Sequence, residues 1–124
     1  MSQILAIGLG GAVGSMLRYG LSNVVYAFAG RAFPYGTLAV NVLGCLAMGL
    51  LFVVFLERLA DSTVWRAGML IGVLGGFTTF SAFSIETFAL IDQGEPLKAL
   101  ANVLLSVVLC IAATWIGVLL GRQL

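Results

Sequence analysis

Four long apolar blocks, residues 4–29, 37–56, 67–91 and 99–121, alternate with short polar joints along this chain. Each is long enough for a helix to cross about 30 Å of hydrocarbon, which takes roughly 20 residues. The second and fourth blocks carry no charge, the first carries only Arg18 and the third only Glu86. All other charged side chains fall in the joints or at the ends, beside the breakers Gly30 and Pro34, Asp61 and Ser62, and the Asp92-Gln93-Gly94-Glu95-Pro96 turn. The pattern predicts a single domain over residues 1–124, built of four transmembrane helices, with no room for a soluble module.

Composition narrows the class further. Apolar residues make up 61% of the chain and charged residues 9%, with a mean hydropathy of +1.14. Soluble domains run at about 45–50% apolar and about 25% charged. A chain of 124 residues cannot bury that excess inside itself. A soluble enzyme and a disordered chain are excluded. So is a nucleic-acid partner, which demands a basic patch, because the net charge is only +1. The remaining solvent is a lipid bilayer, and the chain reads as an all-α integral membrane protein. It has no His, and its two cysteines, Cys45 and Cys110, sit in apolar blocks as small apolar side chains. The first residues lack a basic n-region, so they read as the start of the first span rather than as a cleaved leader.

Orientation is almost undetermined by charge. With residue 1 inside, Arg58, Arg66 and Arg122 lie on the cytoplasmic side, and Arg31 and Lys98 lie opposite. Such near-balance is compatible with one fixed orientation or with insertion both ways. Two copies inserted oppositely would share a two-fold axis in the membrane plane, an intermolecular form of the inverted repeats of transporters.

Polar residues within spans are costly and face protein or a water-lined path. Here they form stripes: Thr37 and Asn41; Phe80, Phe83, Ser84 and Thr87; Asn102, Ser106 and Cys110. Gly10 with Gly14, Gly68 with Gly72, and Gly72 with Gly76 are small residues four apart, a spacing that lets helix backbones touch. Residues 8–14 superficially resemble a dinucleotide fingerprint, but the next acid is Glu57, far beyond the roughly 20 positions required.

The least lipid-like stretch is residues 72–84, in the third span. Tandem glycines before two threonines are poor helix formers. Unwinding there would free the carbonyls of Gly75, Gly76, Phe77 and Thr78, hard oxygen ligands suited to sodium or potassium. The alternative is a continuous helix packed closely at Gly75-Gly76. Beyond it, Phe80 and Phe83 share a face. A phenyl edge is electropositive, so the two rings could hold a small anion, aided by the hydroxyls of Thr79, Ser81 and Ser84 and the amide of Asn41. The alternative is ordinary aromatic packing. Glu86 lies about 7–8 Å from the end of its span at 1.5 Å per residue, as an interfacial structural carboxylate or a vestibule group.

Three segments together resemble the Fluc (CrcB-type) fluoride channels: Gly10-Gly11-Ala12-Val13-Gly14-Ser15-Met16-Leu17-Arg18-Tyr19, then Gly36-Thr37-Leu38-Ala39-Val40-Asn41, then Gly75-Gly76-Phe77-Thr78-Thr79-Phe80-Ser81-Ala82-Phe83-Ser84-Ile85-Glu86. The resemblance covers three of the four spans and implies a third helix broken near its middle in a dual-topology antiparallel homodimer. It implies two fluoride pores along the subunit interface and a structural sodium ion (Na+) at the centre, held by the backbone carbonyls of Gly75 and Thr78. Phe80, Phe83 and Asn41 correspond to pore residues, with Thr79, Ser81 and Ser84 as polar positions around them. Arg18 matches the first-helix arginine near the aqueous vestibule. Thr37, Glu86, Asn102 and Ser106 are further candidate pore or vestibule positions, and the fourth span fits the family less well: Asn102 stands where some members carry tyrosine and Cys110 where another hydroxyl is expected. The implied activity is passive export of fluoride across a bacterial inner membrane.

Two other functions compete. A small dual-topology proton-coupled multidrug exporter needs a titratable carboxylate deep in the bundle, and the first span offers Arg18 but no acid. An assembly subunit without transport has no use for an interrupted span. No enzymatic constellation is present, since there is no His and no carboxylate cluster.

Overall fold

The computed structural model describes residues 1–124 and is helical throughout, with no strand. Four helices are long and apolar enough to cross a membrane: Ser2–Ala29, Tyr35–Arg58, Thr63–Asp92 and Pro96–Gln123. The helices outrun the apolar blocks because polar ends can keep winding where headgroups and water begin. The fourth, at 28 residues, measures about 42 Å against about 30 Å of hydrocarbon. Its start is set by Pro96 in the first turn, where a missing N–H costs nothing. Gly30 and Gly94 turn the chain with φ of 81° and 76°, values that glycine adopts without a steric cost.

Two close helix pairs make up the bundle. The first helix lies along residues 63–77 of the third span. There the contact is backbone on backbone: a Cβ on Gly14 would collide with the carbonyl of Val73, and one on Gly76 would sit 2.7 Å from the carbonyl oxygen of Gly11. The second helix lies along the fourth, with Gly49 against the carbonyl of Thr114 and Gly117 against that of Leu46. Gly121 in turn lies against the carbonyl of Leu50, so a four-residue advance from Gly117 to Gly121 matches one from Leu46 to Leu50 and these helices run parallel. Without a hydrophobic drive between helices in lipid, such close approach supplies the dispersion contact that holds them. Little of the chain is buried within the bundle: Val40, Leu74 and Leu90 are among the few large apolar side chains enclosed, while leucines and isoleucines on every helix stay exposed. That surface is what a bilayer solvates.

The third span is interrupted, and its interruption is shorter and later than the glycines suggest. Gly75–Phe77 remains helical. Only Thr78 (φ −84°, ψ 156°) and Thr79 (φ −151°, ψ 115°) are extended before the helix resumes as Phe80–Asp92. The glycines are used for contact: Gly72 and Gly76 face Ile7, Gly10 and Gly11 of the first helix. The two threonines, whose branched Cβ favours extended backbone, take the break instead. Residues 80–92 touch chiefly the fourth helix, and the second only slightly.

Candidate functional site

At the break, one side chain substitutes for a missing turn of helix. Asn41 Nδ2 donates to the carbonyl of Thr79 at 3.0 Å, and Thr79 N donates to Asn41 Oδ1 at 2.8 Å. The carboxamide thus pairs with both backbone groups of one residue. Thr79 then caps the resumed helix, its Oγ1 accepting from Ala82 N at 3.1 Å and lying 3.2 Å from Ser81 Oγ. These two diversions have a consequence for the carbonyls. In an unbroken helix Thr79 N would serve the carbonyl of Gly75, and Ala82 N that of Thr78. Both amides are engaged elsewhere, and the Thr78 carbonyl accepts no hydrogen bond within the chain. Two hard oxygens are therefore released by the geometry that Asn41 and Thr79 impose.

The break opens on a cleft of about 360 Å³ between the second, third and fourth helices, with Asn41, Thr79, Phe80, Phe83 and Ser106 among its walls. The two rings lie 5.2 Å apart at 46°, neither stacked nor perpendicular. Phe80 is 78% exposed, and Phe83 is half-buried. No formally charged side chain lines this cleft. Its polarity comes from hydroxyls, one carboxamide and ring edges.

A second polar group lies beside it. Thr37 Oγ1 donates to Glu86 Oε1 at 2.8 Å, and Tyr26 Oη lies 3.5 Å from the same hydroxyl. Glu86 Oε2 is buried without a partner. Arg31 shares a small cavity of about 130 Å³ with Glu86, yet its guanidinium lies 4.6 Å over the Tyr26 ring and donates to Asn23 Oδ1 at 3.4 Å. Glu86 is thus held by a hydroxyl rather than by an arginine.

The fourth helix is tied in through Thr87. Its hydroxyl donates to the carbonyl of Phe83 at 2.7 Å and accepts from Asn102 Nδ2 at 2.9 Å, while Ser106 Oγ donates to Asn102 Oδ1 at 3.4 Å. Asn102, 2% exposed, is a buried strut between helices, whereas Ser106 also reaches the cleft. Ser81 is exposed at the head of the resumed helix, and Ser84, also exposed, donates to the carbonyl of Phe80 at 3.0 Å.

The sequence candidates therefore separate into three settings. Asn41, Thr79, Phe80, Phe83 and Ser106 share the cleft, with Ser81 bonded to its edge. Thr37 and Glu86 form the neighbouring pair, and Asn102 is structural support. Arg18, half-buried on the first helix, lines neither cavity. Tyr26, Arg31 and Cys45 join these settings without having been singled out by spacing. Cys45 follows Asn41 by one turn, a signal available in the sequence. Tyr26 reaches Thr37 across a loop, which periodicity does not register.

A family model described as CrcB-like protein, Camphor Resistance (CrcB), matches residues 5–118. A protein from Coxiella burnetii (strain Dugway 5J108-111) named fluoride-specific ion channel FluC is 57% identical over 123 residues, covering 98% of this chain and 99% of the relative. The protein of that name from Geobacter sulfurreducens is 54% identical over 124 residues, 100% of both chains. Another, from Magnetococcus marinus, is 52% identical over 120 residues, 97% of this chain and 98% of its own.

Proposed function

The chain belongs to the CrcB-like family, and on that footing we propose that it is a passive, fluoride-selective channel, multi-pass in a bacterial inner membrane, that releases fluoride from the cytoplasm. It is not an enzyme. The observation that carries the reading is the break at Thr78–Thr79, a polar but uncharged interruption halfway along a membrane span that opens on a cleft lined by two phenyl rings.

Fluoride is small and tightly hydrated, so a pore must replace its water with several donors. Asn41 spends one amide hydrogen on Thr79 O and retains another. The hydroxyl hydrogen of Thr79 is free to turn toward the cleft or toward Ser81. The electropositive edges of Phe80 and Phe83 add weak attraction. Ser84 and Ser106 extend the donor set along the third and fourth helices, and Thr37 with Glu86 and the more distant Arg18 serve the approaches. Weak, repeated donors without a full charge suit conduction, because an ion must enter and also leave. Hydrogen fluoride crosses lipid uncharged and dissociates inside. A negative-inside potential then drives the anion out at about 2.3 kcal/mol per 100 mV.

One chain leaves the cleft open and Phe80 78% exposed. A second copy in inverted orientation completes the walls, and the near-balance of Lys and Arg supports insertion both ways. The carbonyls of Gly75 and Thr78, each deprived of its helical donor, fit a hard monovalent cation. Sodium bound there would supply a fixed positive charge tying the two breaks together.

The test is fluoride efflux from liposomes containing only this protein, followed with a fluoride electrode under an imposed potential. Wild type should empty the vesicles without a proton gradient, and Phe80→Ile and Phe83→Ile should lose most of the flux. Sealed wild-type vesicles would overturn the reading, and flux that requires a proton gradient would favour an exporter.

A further inference from the structure

Cys45 and Cys110 are the only cysteines in the chain, and both are free and half-buried. They come from the two helices that pack in parallel register, where Gly49 abuts Thr114. One turn before Gly49 is Cys45, and one turn before Thr114 is Cys110, so the register that joins those backbones sets the thiols opposite each other. Both line the 360 Å³ cleft. A further turn back are Asn41 and Ser106, on the same wall. No third metal-binding side chain joins them.

Two converging sulfurs with no third ligand do not suit zinc, which takes four. They suit a soft, closed-shell cation that is content with two sulfurs, such as Hg(II), Ag(I) or Cu(I). We propose that Cys45 and Cys110 form a two-thiolate site for a soft metal ion on the cleft wall, one turn from Asn41 and Ser106. With mercuric chloride, each thiol gives its proton to water, two sulfur–mercury bonds form and two chlorides leave, with no change of oxidation state. Mercuric chloride is neutral and crosses lipid, so a site deep in the membrane is reachable. Once bound, the metal bridges the second and fourth helices and narrows the cleft. The blocking of flux rests on the fluoride-channel reading, whereas the binding does not.

The experiment uses the full chain and mercuric chloride. In detergent, wild type should retain one mercury per chain through a glutathione challenge, with a mass gain of one mercury less two protons and no thiol left for a maleimide. Cys45→Ser and Cys110→Ser keep one sulfur each, and glutathione should strip them at roughly 10²-fold lower concentration, since the second bond is intramolecular. Two mercuries per chain, or equal retention in wild type and variants, would overturn the site. Should one serine variant fail to fold, the other decides the matter by the same criterion. In liposomes that pass fluoride before treatment, mercuric chloride should slow the flux and dimercaptopropanol should restore it. After a glutathione wash each variant should return to its own untreated rate. Flux unaffected by one bound mercury would overturn the blocking role. Vesicles that never pass fluoride would instead overturn the channel reading and leave the mass measurement to judge the site.

Discussion

The two halves of the third span are held by different physics. Residues 63–77 are fastened to the first helix by backbone contact through glycines, where even a methyl group has no room. Residues 80–92 rest mainly on the fourth helix and are held by side chains: Asn41 at their head, then, at adjacent positions midway, Glu86 with Thr37 and Thr87 with Asn102. One half is an anchor whose position leaves no adjustable part. The other is an arm whose bonds run through rotatable groups, and it carries both rings of the candidate pore together with Ser81 and Ser84. A membrane span needs its backbone satisfied throughout the hydrocarbon. Asn41 meets that requirement at the junction by pairing with both groups of Thr79 while leaving two carbonyls without their helical donors.

Breaking the anchor should have the largest effect. In Gly14→Leu the new Cβ would collide with the Val73 carbonyl and sit 2.9 Å from Phe77 N. Neither neighbour is a side chain that can move aside. Overpacking of this kind costs about 3 kcal/mol or more. The expected outcome is loss of the folded, monodisperse peak on size exclusion in detergent. Gly8→Ala is the control, because nothing lies within 4 Å of a Cβ there, and alanine is the better helix former by about 1 kcal/mol. A folded Gly14→Leu protein would show that the first helix and residues 63–77 are not locked together by their backbones.

Cutting the tether at Asn41 comes next. Asn41→Leu leaves the N–H and carbonyl of Thr79 without partners, at about 1–3 kcal/mol for each group that water fails to reach. Asn41→Asp keeps the acceptor for Thr79 N and loses the donor to Thr79 O, so it separates the two bonds. The expected order of thermal stability is wild type, then Asp, then Leu. Fluoride flux should fall further than stability does, since the same carboxamide faces the cleft. Equal stability of all three proteins would show that the break stands without its tether.

How much of this the sequence discloses differs between the halves as well. Block length and hydropathy reveal the spans because the bilayer fixes a length. Glycines four apart reveal the anchor because close packing in lipid has one common solution. The break is misplaced by reading Gly75-Gly76 as the weak point: glycine serves both flexibility and close approach, and Gly11 settles the matter only in three dimensions. The polar stripes bring Asn41, Phe80, Phe83 and Ser106 to one cleft, where Thr79 joins them. Their bonding is another matter, since the Asn41–Thr79 pairing spans two helices and Glu86 finds Thr37 rather than an arginine. Such partners are chosen by tertiary placement, to which periodicity is blind.

The neighbouring pair offers a milder way to loosen the arm. Thr37→Val keeps the branched shape and removes the donor to Glu86 Oε1, leaving that carboxyl with no hydrogen bond from the protein, since Oε2 already lacks one. A bond to a charged group contributes about 1.5–3 kcal/mol when fully enclosed; half-burial of Glu86 places the expected loss near the lower end. Thr37→Ser restores the donor and should restore the thermal midpoint. A Val variant as stable as wild type would show that the carboxyl is solvated rather than held.

The smallest effect should come from Thr79, and it divides two explanations of why the span breaks there. A threonine offers a branched Cβ, which favours extended backbone, and a hydroxyl, which caps the resumed helix through Ala82 N at 3.1 Å. Thr79→Val keeps the first property and loses the second; Thr79→Ser does the reverse. If the cap terminates the interruption, Val should lose about 1 kcal/mol and Ser only a few tenths, read as thermal midpoints in detergent. Without the hydroxyl, Ala82 N is free to return to the carbonyl of Thr78, so the Val variant should also draw back one of the two oxygens released at the break. A reversed order, with Ser the weaker protein, would assign the break to backbone preference alone and make the cap its consequence.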